Sequence, residues 1–525
     1  MVILGIGGLL GDAASAVVKD GKLIAAVEES KVARGARPGG IPQASIAETL
    51  RLARVAPENV SCVAVVRPLA QGPESRMHLA LRDQFPNAEI AVLDHHLAHA
   101  ASAFYASPFS SSPVTGATVL TLDHSGDFRC GARWKVSDNK FHVEHEWYYP
   151  DSLGRLYGAV AELLGFRGRA DEHKVQWLST FGDDRFVPLF REIVSPAARL
   201  DSSFFDGNRA KHGGFGAKFY ERLKLHDGAR IPESMAASIA RGAQKVAEET
   251  VLAMAGEGES LCLAGGLFFN ALLVESLERS GKWKSVFVQG AAGNSGTAIG
   301  AAAYMSRQKH AESGSIGSDL LLGPGYTAEE IKQVLENCKL RFKYLRSTDE
   351  MLATAVRQIS DRKIVAWMQG RMEFGPRALG NRSILASPLD PYSTENLNVF
   401  IKHREPYRKF AASVPEELAS EYFDVGSNAR QLATVGRVKP AHRKTFASAI
   451  LGEDIVRVHV VSESDNPLYH RLLHESGRAT NLPVLYNTSF NLFGDPLVST
   501  PRDAVRSFYS SGIDALFAGN FLVEK

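Results

Sequence analysis

The chain has 525 residues, room for about two to four domains of ordinary size. Its 60 basic and 58 acidic side chains leave a net charge of +2, and 45% hydrophobic with 22% charged residues is the composition of a globular protein. This excludes a disordered polyelectrolyte and gives no long-range field for gathering nucleic acid or an anionic membrane, so neither is expected as a partner. Four scattered cysteines, Cys62, Cys130, Cys262 and Cys338, argue against a disulfide framework or a zinc knuckle. The N-terminal run reaches Asp12 too soon to span a bilayer and has no basic leader, so the expected location is cytoplasmic.

In chain order, residues 3–7, 14–19 and 23–28 read as strands, the last two joined by the tight-turn pair Asp20-Gly21, and a helix follows Pro42. The pattern then repeats. Residues 118–122 form a β-rich run ending at Asp123, 131–136 and 141–147 flank a polar turn, and Leu153, Leu156, Val160 and Leu164 mark a helical stripe. Strand–strand–strand–helix twice, each with a carboxylate soon after its first strand, is the layout of a duplicated actin/hexokinase-like α/β domain with ribonuclease H-like halves. Strand–helix units follow at 261–277 and 286–304. A Ser/Gly-rich stretch, 306–325, reads as an interdomain connection. Thr327 and Glu330 have capping-box spacing, and an irregular α+β domain runs to the end.

Four features carry chemistry. His95 and His99 in DHHLAH lie four apart on one helix face, with His96 pointing elsewhere. Asp123, at the end of the next strand, is placed to complete a site for iron, zinc or manganese. Three solvated histidines are the alternative. Glycine-rich turns at 264–270 and 293–296 follow strands and open helices, offering backbone N–H groups to phosphates. Between 371 and 409, seven Lys/Arg face four Asp/Glu, with Gly and Pro among the arginines. A shaped loop for a small phosphate ligand is expected there, against the alternative of surface ion pairs. Near the C-terminus a buried strand enters a turn holding Ser489 and Asn491.

Taken together, HHLAHAASAFY at 95–105, ADEHKVQWLSTFG at 170–182, AGGLFFNALL at 264–273, GRMEFGPRALGNRSILASP at 370–388, KHREPYRKFAASV at 402–414 and NTSFNLFGDPLVSTPRDA at 487–504 resemble the carbamoyltransferases of the nodulation-factor and antibiotic-tailoring type. The resemblance implies an actin-like, metal-bearing transfer domain over 1–325 and a threonylcarbamoyl-AMP-synthase-like domain over 326–525. The second would form carbamoyl-AMP from carbamoyl phosphate and ATP, with Mg2+ accompanying ATP. The first would pass the carbamoyl group to a hydroxyl or amine of a small-molecule, natural-product acceptor. Matching positions give Arg377, Lys402, Arg408, Arg457 and Ser489 for carbamoyl phosphate and ATP, and Gly266 and Asn270 for the adenylate. His95, His99 and Asp123 match ligands of a divalent metal, iron foremost, and Asp12 is the candidate base.

The chain departs from the family where many members carry Asp at the fourth metal position (here Asn294), His before the first Asp (here Gly11), and HVDGTAR where this chain has LGEDIVR at 451–457. An actin-fold kinase and a non-catalytic nucleotide-binding homologue stay open as other readings. So does pairing into a homodimer.

Overall fold

The computed structural model describes residues 1–35, 40–67, 74–111, 116–209, 211–309, 314–492 and 494–525. The first sheet holds β1 (Val2–Gly7), β2 (Ala14–Lys19), β3 (Lys22–Glu28), β4 (Cys62–Val66) and β5 (Glu89–Leu93) in the order β3-β2-β1-β4-β5. The second holds β6 (Ala117–Leu122), β7 (Arg129–Ser137), β8 (Lys140–Tyr148), β9 (Gly258–Ala264) and β10 (Trp283–Val288) in the order β8-β7-β6-β9-β10. In each sheet the first three strands form an antiparallel meander and the last two join the first in parallel. The two sheets are one topology used twice, the duplication of an actin/hexokinase-like fold. β1, β4 and β6 are buried along their whole length, as strands covered on both faces must be.

The helix Gly296–Lys309 packs on β1 and crosses the helix His95–Ala106. The crossing depends on absent side chains. A Cβ at Gly300 would fall 1.8 Å from the Ala98 carbonyl oxygen, and one at Gly5 would fall 2.0 Å from that of Ala298. Because Ala98 lies between His95 and His99, this contact sets where both imidazoles stand. Gly300→Val is therefore expected to destabilise the protein by about 1–3 kcal/mol, read from the urea midpoint.

The described residues of 306–325 are anchored in the core at three positions. Ser306 to Lys309 complete the preceding helix, 310–313 lie outside the described residues, and Ile316, Leu320 and Leu322 enter a core cluster that also holds Ala14, Ala16, Phe374, Leu379 and Leu432. Beyond them, a capping box at Thr327 and Glu330 opens the helix Ala328–Asn337. A ten-stranded mixed sheet follows, centred on Val365–Met368, Arg382–Ala386, Leu485–Ser489, Ala411–Pro415 and Ile455–Val461. Among the described residues no helix is long and apolar enough to cross a membrane. All four cysteines are free thiols.

Candidate active site

A cavity of about 950 Å³ lies between the two halves of the actin-like fold and the ten-stranded sheet. One end is walled by Asp12, His95, Asp123 and Asn294, the other by Arg377, Arg404, Arg408, Arg457 and Ser489, with Gly266 and Asn270 also on the wall.

At the first end, Asp94 caps the helix His95–Ala106 by accepting from the Leu97 N–H (2.9 Å). His95 Nε2 lies 3.0 Å and His99 Nε2 3.4 Å from Asp123 Oδ2. His96 is turned away and satisfied, with Nδ1 against Thr121 Oγ1 (2.9 Å) and Nε2 against the Arg129 carbonyl (2.8 Å). The histidines are not solvated, since His96 and His99 are fully buried. Burial presses the His99 pKa down. Burial alone would raise Asp123, but hydrogen bonds from His95 and His99 hold its carboxyl well below the usual range.

These residues fit a cation. The donor atoms of His95, His99 and Asp123 lie within 4.8 Å of one another, the buried His99 Nδ1 has no hydrogen-bond partner, His99 Nε2 reaches only Asp123, and the buried Asn294 Oδ1 has no partner. Buried polar atoms are rarely left so, and a metal would engage one ring nitrogen of each histidine and an Asp123 oxygen. Gly266 leaves the carboxylate its space, because a Cβ there would stand 3.2 Å from Asp123 Oδ1. Asp12 sits in the turn after β1 with φ +62°, a conformation that Asp tolerates better than most residues. It is solvent-exposed yet set within the cavity. That enclosure, then Glu28 and Asp123, raises its carboxyl pKa.

At the other end, four guanidinium groups face one another with little compensation. Arg377 donates to the Phe269 carbonyl (3.1 Å) and Arg404 to Asn398 Oδ1 (2.6 Å), Arg457 lies over the Trp177 ring, and Arg408 has Glu405 at 3.7 Å. Removal from bulk water lowers Arg377 to about 10 and Arg404 to about 9, the latter with Arg408 adding repulsion. Arg408 is lowered by the same burial. Arg457 is lowered well below the usual guanidinium range, by burial and then by Arg377, Arg404 and Arg408. Arg377 and Arg404 stay charged at neutral pH, and one carboxylate cannot balance four cations. An anion is what this wall lacks.

Several expected residues turn out differently. Lys402 is not on the cavity wall. Its ammonium donates to the carbonyls of Ser489 (2.6 Å) and Asn491 (2.8 Å) and to Asn491 Oδ1 (2.7 Å), so it holds the turn that presents Ser489. Of the three arginines between 371 and 382, only Arg377 faces the cavity. Arg371 ties the carbonyls of Ile24, Leu322 and Gly323, and the fully buried Arg382 fills the carbonyls of Gln369, Gly370, Asn381 and Pro324. Glu373 closes that loop by accepting from the N–H groups of Leu379, Asn381 and Arg382 at 2.8–3.0 Å. Asn270 is engaged within the protein. It caps the helix Ala271–Arg279 and exchanges hydrogen bonds with Gln244, which also takes one from Tyr157. Within the C-terminal motif that carries Ser489, Phe493 lies outside the described residues.

Two wall residues escape the sequence reading. Arg404 lies between Lys402 and Arg408 in a segment already marked as basic. His173 lies in the 170–182 motif, with Nε2 buried and unpartnered. Burial, then Arg408 and Arg377, lowers His173 to about 3, and burial does the same to His459 on the ten-stranded sheet. Both are neutral in the folded protein, whereas in the unfolded chain they protonate near pH 6.5. Stability should therefore be full above about pH 6.5 and fall as pH drops toward 3, by about 1.4 kcal/mol per pH unit for each histidine. Urea midpoints at pH 7 and 5 measure the slope, and His459→Asn should flatten it.

The descriptions "Carbamoyltransferase N-terminus" and "Carbamoyltransferase C-terminus" match residues 74–303 and 356–525. The nodulation protein NolNO of Sinorhizobium fredii is 30% identical over 98% of this chain and 79% of its own. NolO of Bradyrhizobium diazoefficiens is 32% identical over 82% and 79%. The 3'-hydroxymethylcephem-O-carbamoyltransferase of Streptomyces clavuligerus is 28% identical over 64% and 61%. With the anion-seeking wall and the His/His/Asp cluster on one cavity, these matches place the chain among the transferases and not among sugar kinases: it belongs to the carbamoyltransferase family.

Proposed function

We propose that this enzyme makes carbamoyl-AMP from carbamoyl phosphate and ATP and passes the carbamoyl group to a hydroxyl of a small natural-product acceptor. Residues 326–525 carry the activation and 1–325 the transfer. The chemistry balances if water releases phosphate from carbamoyl phosphate and the carbamate oxygen displaces pyrophosphate from the α-phosphorus of ATP. The acceptor oxygen then displaces AMP from the carbonyl carbon. Arg377, Arg404, Arg408 and Arg457 bind the phosphates, whose charge in turn relieves the mutual repulsion of the guanidinium groups. Ser489, held by Lys402, offers a hydroxyl at the same wall.

Across the cavity, Asp12 takes the acceptor proton, and its raised pKa suits that task better than an ordinary carboxylate's would. A divalent metal such as iron, held by His95, His99 and Asp123 beside Asn294, would polarise the carbamoyl carbonyl. The hydroxyl acceptor is the kind named for the relative 3'-hydroxymethylcephem-O-carbamoyltransferase.

The observation that carries this reading is that four under-compensated arginines line the same cavity as His95 and Asp123 of the His/His/Asp cluster, so an adenylate formed at one wall meets its acceptor without leaving the protein. Carbamoyl-phosphate-dependent exchange of labelled pyrophosphate into ATP tests it. Folded protein that shows no such exchange would rule it out.

A further inference from the structure

A second cluster of metal-binding side chains lies outside the cavity. Glu417 stands in the single turn Glu416–Leu418 that follows the strand Ala411–Pro415, and His470 and His474 lie one turn apart on the helix Pro467–Thr480. Residues four apart share a helix face, and here both imidazoles turn toward the same carboxylate. His470 Nε2 lies 3.1 Å from Glu417 Oε1 and 3.2 Å from Oε2, and His474 Nε2 lies 2.5 Å from Oε1. The two rings are 4.7 Å apart, and the three donor atoms lie within 4.8 Å of one another.

The scaffold behind the cluster is fixed. Tyr469, Leu472 and Leu473 bury the opposite side of the helix, and Asn466 caps it by accepting from the Tyr469 N–H (3.1 Å). The donors therefore converge before any ion arrives, and little side-chain entropy is left to lose on binding.

We propose that Glu417, His470 and His474 form a second divalent-metal site, selective for Zn2+ and its first-row neighbours. Two imidazole nitrogens and a carboxylate oxygen are the donor set those ions prefer. Bonds of about 2.0–2.1 Å fit among atoms this close, and the half-exposed His474 leaves room for water as a fourth ligand. Calcium and magnesium, which want all-oxygen shells, are excluded by the same set. The helix also backs the loop that carries Arg377. The Tyr469 ring lies where a Cβ of Gly380 would stand, and Asn466 Nδ2 donates to the Leu379 carbonyl (3.2 Å) and to Asn381 Oδ1 (2.9 Å). An ion here clamps the helix to the end of the strand Ala411–Pro415 and stiffens the support of the anion-binding wall.

The test is a calorimetric titration of chelator-stripped, full-length protein with Zn2+. Wild type should bind one more Zn2+ per chain than the His470→Ala/His474→Ala double variant, whose His95, His99 and Asp123 are untouched. Equal stoichiometry overturns the proposal. Glu417→Gln is the milder check: it should lose the same equivalent, and with Co2+ the visible absorption of a nitrogen-ligated ion at this site. Zn2+ should raise the thermal midpoint of wild type more than that of Glu417→Gln. A Glu417→Gln protein with full Zn2+ stoichiometry and an unchanged Co2+ spectrum overturns the proposal equally. None of these readouts involves carbamoyl transfer, so the outcome is separable from the function proposed above.

Discussion

Replacing Arg457 with methionine is expected to lower carbamoyl-phosphate-dependent ATP–pyrophosphate exchange by about 10²–10³-fold, the loss typical of one charged donor aimed at developing negative charge. The same change should leave the ligand-free protein as stable as wild type or more so. Arg457 has no carboxylate partner among the described residues, and every charge acting on its pKa is another arginine. Removing it relieves repulsion at Arg377, Arg404 and Arg408, and a methionine keeps an apolar stem against Trp177. Lys402→Met should behave in the opposite way. It strands the oxygens of Ser489 and Asn491 that the ammonium now satisfies, so the urea midpoint should fall together with activity. Steady-state exchange and chemical denaturation of the two variants, run side by side, separate a residue that binds substrate from one that holds a turn. An Arg457→Met protein that is destabilised and retains its exchange rate would refute the assignment.

That contrast shows what the sequence discloses and what it hides. The strands of both halves are legible because alternation, tight-turn pairs and buried apolar runs are local signals, and the hairpins of β2 with β3 and of β7 with β8 close at the turns those signals mark. His95, His99 and Asp123 are legible because a four-residue helical repeat and the end of a strand fix directions in space. The arginines are not, because sequence gives their number and not where they point. Arg371 and Arg382 look identical to Arg377 on paper, yet the donors of Arg371 meet the carbonyls of Ile24, Leu322 and Gly323, and those of Arg382 meet carbonyls of the loop drawn tight around Glu373. Arg404 and His173 become site residues only through tertiary folding, which carries the segment Glu172–Ser179 from the second half to the wall of the C-terminal sheet. Nothing in local periodicity announces that contact. The same holds for Gln244, whose place beside Asn270 depends on how the long helix Glu233–Ala255 packs on the helix Ala271–Arg279.

The second large effect is expected at His99. His99→Ala should strip the metal from the cavity and lower carbamoyl transfer by about 10³-fold, with pyrophosphate exchange close to wild type. The reason lies in how differently two neighbouring, fully buried histidines are used. His99 Nδ1 lacks a hydrogen-bond partner and Nε2 has only the 3.4 Å contact with Asp123, which keeps His95 at 3.0 Å, so removing the ring orphans no protein group and the fold loses chiefly packing. His96 is bonded at both nitrogens, to Thr121 Oγ1 and to the Arg129 carbonyl, so His96→Ala should cost about 2–4 kcal/mol of stability while metal content is kept. Exchange should survive in His99→Ala because the four arginines and Ser489 stand at the opposite wall and none of them contacts His99. Metal analysis, exchange and transfer on the two variants give a pattern that a purely structural role for His99 cannot produce. If His99→Ala kept its metal, or lost exchange in step with transfer, the division of labour across the cavity would be wrong.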